Sequence, residues 1–202
     1  SNVAIKFQYN KTSQQALAKQ LRIRERALPT LKNKESALRV EVKKAKDKAA
    51  ELDRSLKEEL GLYDEMMRLW NEFDPSLVRI RDVDLSTKKI AGVETPVLEE
   101  VHFEVTDYNM FERPTWFPDG IAILEKLARL AIEREVFERK MELLDFARKK
   151  TTQKVNLYEK VQIPGYQDAI RKIKRFLEDE ENLSKAAQKI VKNRQQNAEV
   201  ES

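Results

Sequence analysis

Residues 17–56 read LAKQLRIRERALPTLKNKESALRVEVKKAKDKAAELDRSL, and the spacing of apolar side chains in this stretch decides the fold. Leu17, Leu21, Arg24, Leu28, Leu31, Glu35, Leu38, Val42, Ala45, Ala49, Leu52 and Leu56 follow one another at steps of four and three. Such steps keep one stripe on one face of a helix and define a heptad seam. Leu60, Tyr63, Met67 and Trp70 carry the seam on after a stutter at Leu60-Gly61. Residues 11–71 are therefore expected to form one coiled-coil helix. Pro29 lies inside it, where loss of a backbone bond and a clash with the preceding turn cost about 3 kcal/mol, so a kink is expected there.

Working outward, the pattern changes at residue 72. Pro75, Pro96, Pro114 and Pro118 exclude a long helix over residues 72–118, and β-branched residues become frequent. Residues 77–83 (LVRIRDV) and 97–105 (VLEEVHFEV) alternate apolar with polar in their better halves, which predicts two strands. Ser86 to Pro96 holds Gly92 and polar turn residues, so it is expected to connect the strands, giving a small β-hairpin insert or a pair of strands with a short lid. Asp119 is expected to cap a second coiled-coil helix over residues 119–197. Its seam runs through Ile123, Leu127, Leu130, Arg134, Phe137, Met141, Leu144, Arg148, Thr151, Val155 and Tyr158. After a discontinuity beside Pro164-Gly165, Ile163, Tyr166, Ile170, Ile173, Leu177, Glu180, Ser184, Ala187 and Val191 restore it.

The fold class is then mainly α: a long antiparallel two-helix coiled coil with a β-hairpin insert. With Trp70 placed opposite Ile121 to Ile123, partners sum to about 191–193, so Leu38 falls near Val155 and Leu21 near Ile170 and Ile173. This register sets Pro29 level with Pro164, which predicts a shared bend in the shaft. It also leaves the end of the second helix unpartnered, a protruding tip. Arg24, Glu35, Arg134, Arg148 and Glu180 occupy seam positions, where a buried charge needs a partner; they are expected to snorkel or pair across the helices.

Composition narrows the function. The 202 residues include 37% charged side chains, four glycines and no cysteine, a composition of long helices. Lys and Arg counted against Asp and Glu give about +7 over residues 1–60, −1 over 61–71, −5 over 72–118 and +3 over 119–202. Without cysteine there are no thiolate zinc sites or cysteine nucleophiles, and with His102 as the one histidine no multi-histidine metal site or Ser-His-Asp triad can be built. Gly61, Gly92, Gly120 and Gly165 lie too far apart for a phosphate-binding loop. No run of 18 apolar residues exists, so no direct membrane insertion is expected and the chain reads as cytoplasmic.

Each chemically suggestive group has a plainer reading. The run Lys43, Lys44, Lys46 and Lys48 suits phosphates, but acidic residues interrupt it and no aromatic platform accompanies it; a solvated helix face is the better reading, and no nucleic acid is expected as partner. His102 reads as a structural strand-face residue. Asp82, Asp84, Glu99, Glu100 and Glu104 come without pocket-forming sequence, so no catalytic residue, metal ligand or cofactor site is assigned. Trp70, Phe73, Phe111, Trp116 and Phe117 bracket the insert and are expected to form one hydrophobic cluster.

Two stretches carry a resemblance. Leu31-Lys32-Asn33-Lys34-Glu35-Ser36-Ala37-Leu38 resembles the LLKxKRDxL region of the D subunit of V-type and archaeal-type rotary ATPases. Val155-Asn156-Leu157-Tyr158-Glu159-Lys160-Val161-Gln162-Ile163-Pro164, followed by Ile170, Ile173, Leu177, Glu178 and Glu180, is similar to that family's VNALExxxIPxLxxTIxxIxxxLxExE segment. Ile90 to Pro96 resembles its N-x-x-G-V-x-x-P turn, whereas Asn10-Lys11-Thr12-Ser13 departs from its Pro-Thr-Arg-like opening. The resemblance implies a central-stalk rotor subunit, itself without catalytic residues. It couples ATP hydrolysis or synthesis in a hexamer of subunits A and B to H⁺ or Na⁺ movement through a membrane ring. The implied partners are subunits A, B and F and the membrane-ring adaptor subunit, with the complex peripheral to the membrane on its cytoplasmic side. A prefoldin-like chaperone or a generic coiled-coil scaffold is the alternative from the helices and hairpin alone.

Overall fold

A computed structural model describes residues 5–69, 73–107 and 117–201. Helix α1 spans Lys11–Leu69, strand β1 Val78–Ile90, strand β2 Val93–Val105, helix α2 Phe117–Asn156 and helix α3 Ile163–Glu201. A six-residue π turn, Leu157–Gln162, joins α2 to α3, and a single 3₁₀ turn, Pro75–Leu77, precedes β1. The result is a mainly α-helical fold with a two-stranded antiparallel hairpin.

The helix starts follow from local chemistry. The Ser13 N–H donates to Asn10 Oδ1 at 2.7 Å, satisfying a donor that the helix end leaves open, and Ser13 Oγ accepts from the N–H of Gln8 ahead of the helix at 3.0 Å. α1 runs on through Pro29. That residue is exposed, so the Glu25 carbonyl deprived of its donor is on the solvent side and water can satisfy it. α2 already includes Phe117, which corrects the expectation that Asp119 caps it. The fixed φ of Pro118 suits a first turn, and Asp119 sits within that turn, where its charge meets the positive end of the helix.

The hairpin also differs from expectation: Ser86 to Pro96 is strand, not loop, except at Ala91-Gly92. Ala91 has φ 49° and Gly92 φ 81°, the left-handed pair that a two-residue hairpin turn requires. Ladder pairs Lys88↔Thr95, Lys89↔Glu94 and Ile90↔Val93 close the strands onto it. Burial explains why polar turn formers were overridden. Ile90, Ala91 and Val93 pack on the cluster of Leu38, Ala45 and Leu144, and Thr95, only 1% exposed, donates its hydroxyl to the Lys88 carbonyl. The register shifts between Ile80 and Asp82 and between Asp84 and Leu85. Arg81 is the surplus residue on β1 and Glu99 on β2, which is why the apolar alternation falters at 80–83 and 98–101.

The chain forms two compact units. The first takes the residues up to Asn33 with those from Thr151 on; the second is Lys34–Lys150. In the first, Leu17, Ala169 and Ile173 make the core, with Ile5, Phe7, Tyr166, Ile170 and Leu177 against it. Every residue from 178 to 201 in that unit is exposed, including Leu183 and Val200. In the second, one core is the Leu38–Ala45–Leu144 cluster and the other is Met66, Phe73, Leu77 and Ile121. Within each unit the helices run antiparallel, as the pairs Arg24–Gln162 and Lys32–Glu159 show in the first and Glu59–Lys126 and Asp53–Arg134 in the second. Ile121 shares its cluster with Met66, one turn earlier than Trp70. Trp70, Phe111 and Trp116 lie outside the described residues, as does the side chain of Phe117.

Candidate functional site

In the first unit one side chain organises the facing helices. Arg24 Nε donates to Gln162 Oε1 at 2.7 Å, and Nη1 donates to Gln20 Oε1 at 2.9 Å. Its guanidinium carbon lies 5.6 Å from the Tyr158 ring centre and 4.9 Å from that of Tyr166, so the cation is held between two aromatic faces. Two turns along α1, Lys32 Nζ meets Glu159 Oε1 at 2.6 Å. The segment before α1 packs on the same unit through Ile5 and Phe7. Phe7 and Tyr9 stack edge to face at 5.3 Å, Tyr9 lies 4.9 Å from Phe176, and an added Cβ at Gly165 would fall 2.7 Å from Ile5 Cδ1.

The second unit carries the hairpin. Ile80, Val83, Leu85 and Pro96 face Ala128, Ala131, Ile132 and Val136 of α2 across an open apolar groove. A second groove is lined by Leu56, Leu60, Val78 and Leu124. Arg129 stands 5.5 Å over the Phe103 ring. Arg134, a seam position, reaches Asp53 across the helices at 3.2 Å and also approaches Glu135 and Glu138. Hydrogen bonds from Lys57 and Arg134 hold the Asp53 carboxyl below its usual range. Arg148 instead bonds Asp145 within α2. Burial pushes the Asp145 carboxyl up, but Arg148 and Lys149 outweigh it and hold it low.

On the hairpin, Asp84, Glu100 and His102 bring one donor atom each within 4.8 Å of the others. The geometry is that of a charge pair: His102 Nε2 and Asp84 Oδ2 are 2.7 Å apart, with Glu100 Oε2 at 3.9 Å. The Asp84 hydrogen bond raises the His102 pKa above 6.5. The three residues lie between the two bulges, which bring Asp84 diagonally to His102.

Among the residues expected to form the seam, Leu17, Leu38, Leu52, Leu144, Val155 and Ile173 are buried. Leu21, Leu28, Leu31, Val42, Leu56, Phe137, Met141, Ile170 and Leu177 are half-buried. Pro29 and Pro164 are both exposed. Leu38 shares its cluster with Ala45, Met141 and Leu144, the last two earlier in the chain than the Val155 partner expected for it. Sequence reasoning missed the π turn, although the five-residue step from Tyr158 to Ile163 was its signal. It also missed the Asp84–His102 pair, which depends on the bulges.

These features define a class: a protein of long antiparallel helices carrying a β-hairpin whose turn packs back on the helix pair. No described helix is long and apolar enough to cross a membrane. The family model for the ATP synthase D subunit matches residues 13–193. The D subunit of the V-type ATP synthase of Borreliella burgdorferi is 30% identical over 178 residues, covering 86% of this chain and 87% of that one. The protein of the same name from Chlamydia muridarum is 28% identical over 187 residues, covering 90% and 92%, and that from Chlamydia pneumoniae 29% over 160 residues, covering 75% of each. The chain belongs to the ATP synthase D-subunit family, the central-stalk rotor subunit of V-type ATP synthases. Members are non-catalytic stalk subunits that contact the catalytic and membrane parts of the complex, and this membership displaces the chaperone and generic-scaffold readings.

Proposed function

We propose that the two helical tracts work as an antiparallel coiled coil that enters the hexamer of subunits A and B, while residues 72–118 and the adjoining helix ends bind the F subunit and the membrane-ring adaptor. On this reading residues 11–71 and 119–197 are the shaft and the insert is its foot. ATP is bound and turned over by partners, and the complex is peripheral to the membrane on its cytoplasmic side. The observation that carries the reading is the match over residues 13–193, which takes in both helical tracts and the hairpin together. Charge supports it. A basic first tract can move past an acidic sleeve through long-range attraction without locking, and an acidic insert gives the other end a separate binding chemistry. The breakers Pro29 and Pro164 mark a softened section that both helices share; Lys32–Glu159 and the Arg24–Tyr166 contact flank it.

The test is co-purification with the A, B and F homologues, followed by truncation after Gln188. The removed residues are exposed, so the melting temperature should change little while ions moved per ATP fall. An unaltered pumping ratio in the truncated complex counts against the axle role.

A further inference from the structure

The apolar stripe of the C-terminal tract steps through Thr151, Val155 and Tyr158, jumps five residues to Ile163, and resumes at Tyr166, Ile170 and Ile173. A helix of uniform 3.6-residue turns would swing one half of this stripe off the face that the other half occupies. The π turn takes up the surplus. The Ile163 N–H donates five residues back, to the Tyr158 carbonyl, so one extra residue is stored in Leu157–Gln162. Pro164 bounds the turn on its C-terminal side, because it has no N–H and its ring would press on the Lys160 carbonyl in a regular helix. Beyond it the stripe is anchored by Ile173, which is fully buried.

No comparable bound exists on the N-terminal side, where a surplus residue in a helix can pass from turn to turn by exchanging one carbonyl partner at a time. Lys32 and Arg24 of α1 touch the turn from outside, Lys32 through Glu159 at its middle and Arg24 at both of its ends. Arg24 bonds Gln162, the last residue of the turn, and stacks on Tyr158 near its start and on Tyr166 just beyond Pro164, while Gln20 steadies it from α1. We propose that Arg24 is a positioning residue that latches the π turn, and that with the latch open the surplus residue migrates toward the N-terminus, sliding residues 156–162 by one position past α1. The inference rests on the rotor reading for its use, since it names the place where the helix pair yields to torque. The latch itself is a property of the chain alone.

Migration has a defined geometry. Counting back from Ile163 in regular turns, Glu159 replaces Tyr158 on the face toward α1, and Lys160 moves to where Glu159 now meets Lys32 at 2.6 Å. It sets Lys160 against Lys32 and puts Asn156 in the place of the buried Val155. Both changes favour the latched state at rest, so the slide needs a load or a broken latch.

The chain has no cysteine, which makes cross-linking clean. The full-length protein would carry Lys32→Cys with either Glu159→Cys or Lys160→Cys, each with Arg24 intact and with Arg24→Gln, and disulfide yield under mild oxidation would be measured. Disulfides demand Cβ atoms within about 4.5 Å, so a one-residue slide changes the ratio of yields by at least about fivefold. With Arg24 intact the 32–159 pair should dominate; Arg24→Gln should move yield to the 32–160 pair. Gln162→Leu, which removes the acceptor of Nε, should move it the same way. An unchanged ratio in both variants, or yields that fall together in both pairs, would overturn the latch. Co-purification with partner subunits is unaffected by that outcome, so the rotor reading and the latch fail separately.

Discussion

Leu144→Ala probes the contact that holds the hairpin turn on the helices. Leu144 and Leu38 are both fully buried, and Ile90, Ala91 and Val93 close over them. Truncating a buried leucine costs about 2–5 kcal/mol, rising with the cavity that remains. Here one wall of the site is a two-residue turn that can settle inward, so the lower part of that range applies, about 2–3 kcal/mol. For a chain of this length that is a fall of about 5–10 °C in melting temperature. The loss should also be local, because the turn loses its anchor: amides from Lys88 to Glu94 should exchange with solvent at least about tenfold faster, whereas those around Ile173 should not. Phe146→Ala, at a side chain 60% exposed in the same helix, is the control and should cost under about 0.5 kcal/mol. Urea denaturation and hydrogen exchange read both effects. A loss below about 1 kcal/mol for Leu144→Ala, or faster exchange spread evenly over the chain, would refute the anchoring role.

Two glycines should respond with opposite signs in urea denaturation. At Gly120 an added Cβ falls 2.8 Å from the buried Phe73 ring, so Gly120→Ala should destabilise by about 1 kcal/mol once overpacking outweighs the helix-propensity gain. At Gly165 it meets only the flexible end of Ile5, so Gly165→Ala should stabilise by about 0.5–1 kcal/mol; matching signs would show that the two contacts do not differ in kind. His102, as the one histidine, can be titrated by NMR without ambiguity, and its midpoint should lie above 6.5. A folded pKa raised in this way stabilises the hairpin fully below the unfolded value and loses that contribution as pH rises through the folded value. Asp84→Asn should return the midpoint toward 6.5, and an unshifted midpoint in the parent chain would remove the pair from the account.

Much of the fold was legible because helices announce themselves by period. The steps from Leu17 to Leu56 forecast α1, and the residues on those steps are buried or half-buried, whereas Leu60, Glu180, Ser184, Ala187 and Val191, also expected on the seam, are exposed. Register was less legible. It was set from Trp70, which lies outside the described residues; Lys32 meets Glu159 as that register expects, whereas Asp53 meets Arg134 and Glu59 meets Lys126 one to two turns away from it, and a periodic stripe offers such alternative matches. The hairpin was misread between Ser86 and Pro96 because its polar residues resemble a loop, and tertiary burial of Ile90 and Val93 decided otherwise. The skipped steps at 80–83 and 158–163 were visible as faults in periodicity; only the structure gives them form, as a β-bulge and a π turn. Partner surfaces were the least legible. Leu60, Leu62, Leu69, Leu183 and Ile190 are exposed, and nothing in their spacing separates an open face from a seam.

The central claim is that this chain turns inside a catalytic hexamer. The absence of native cysteine allows one to be placed by Thr87→Cys, at an exposed position on β1, and tagged with a bead in a complex whose A and B subunits are fixed to a surface. On addition of ATP the bead should rotate in one direction, in steps that stop when ATP is removed. A bead held firmly on the assembled, ATP-hydrolysing complex that does not rotate would contradict the account.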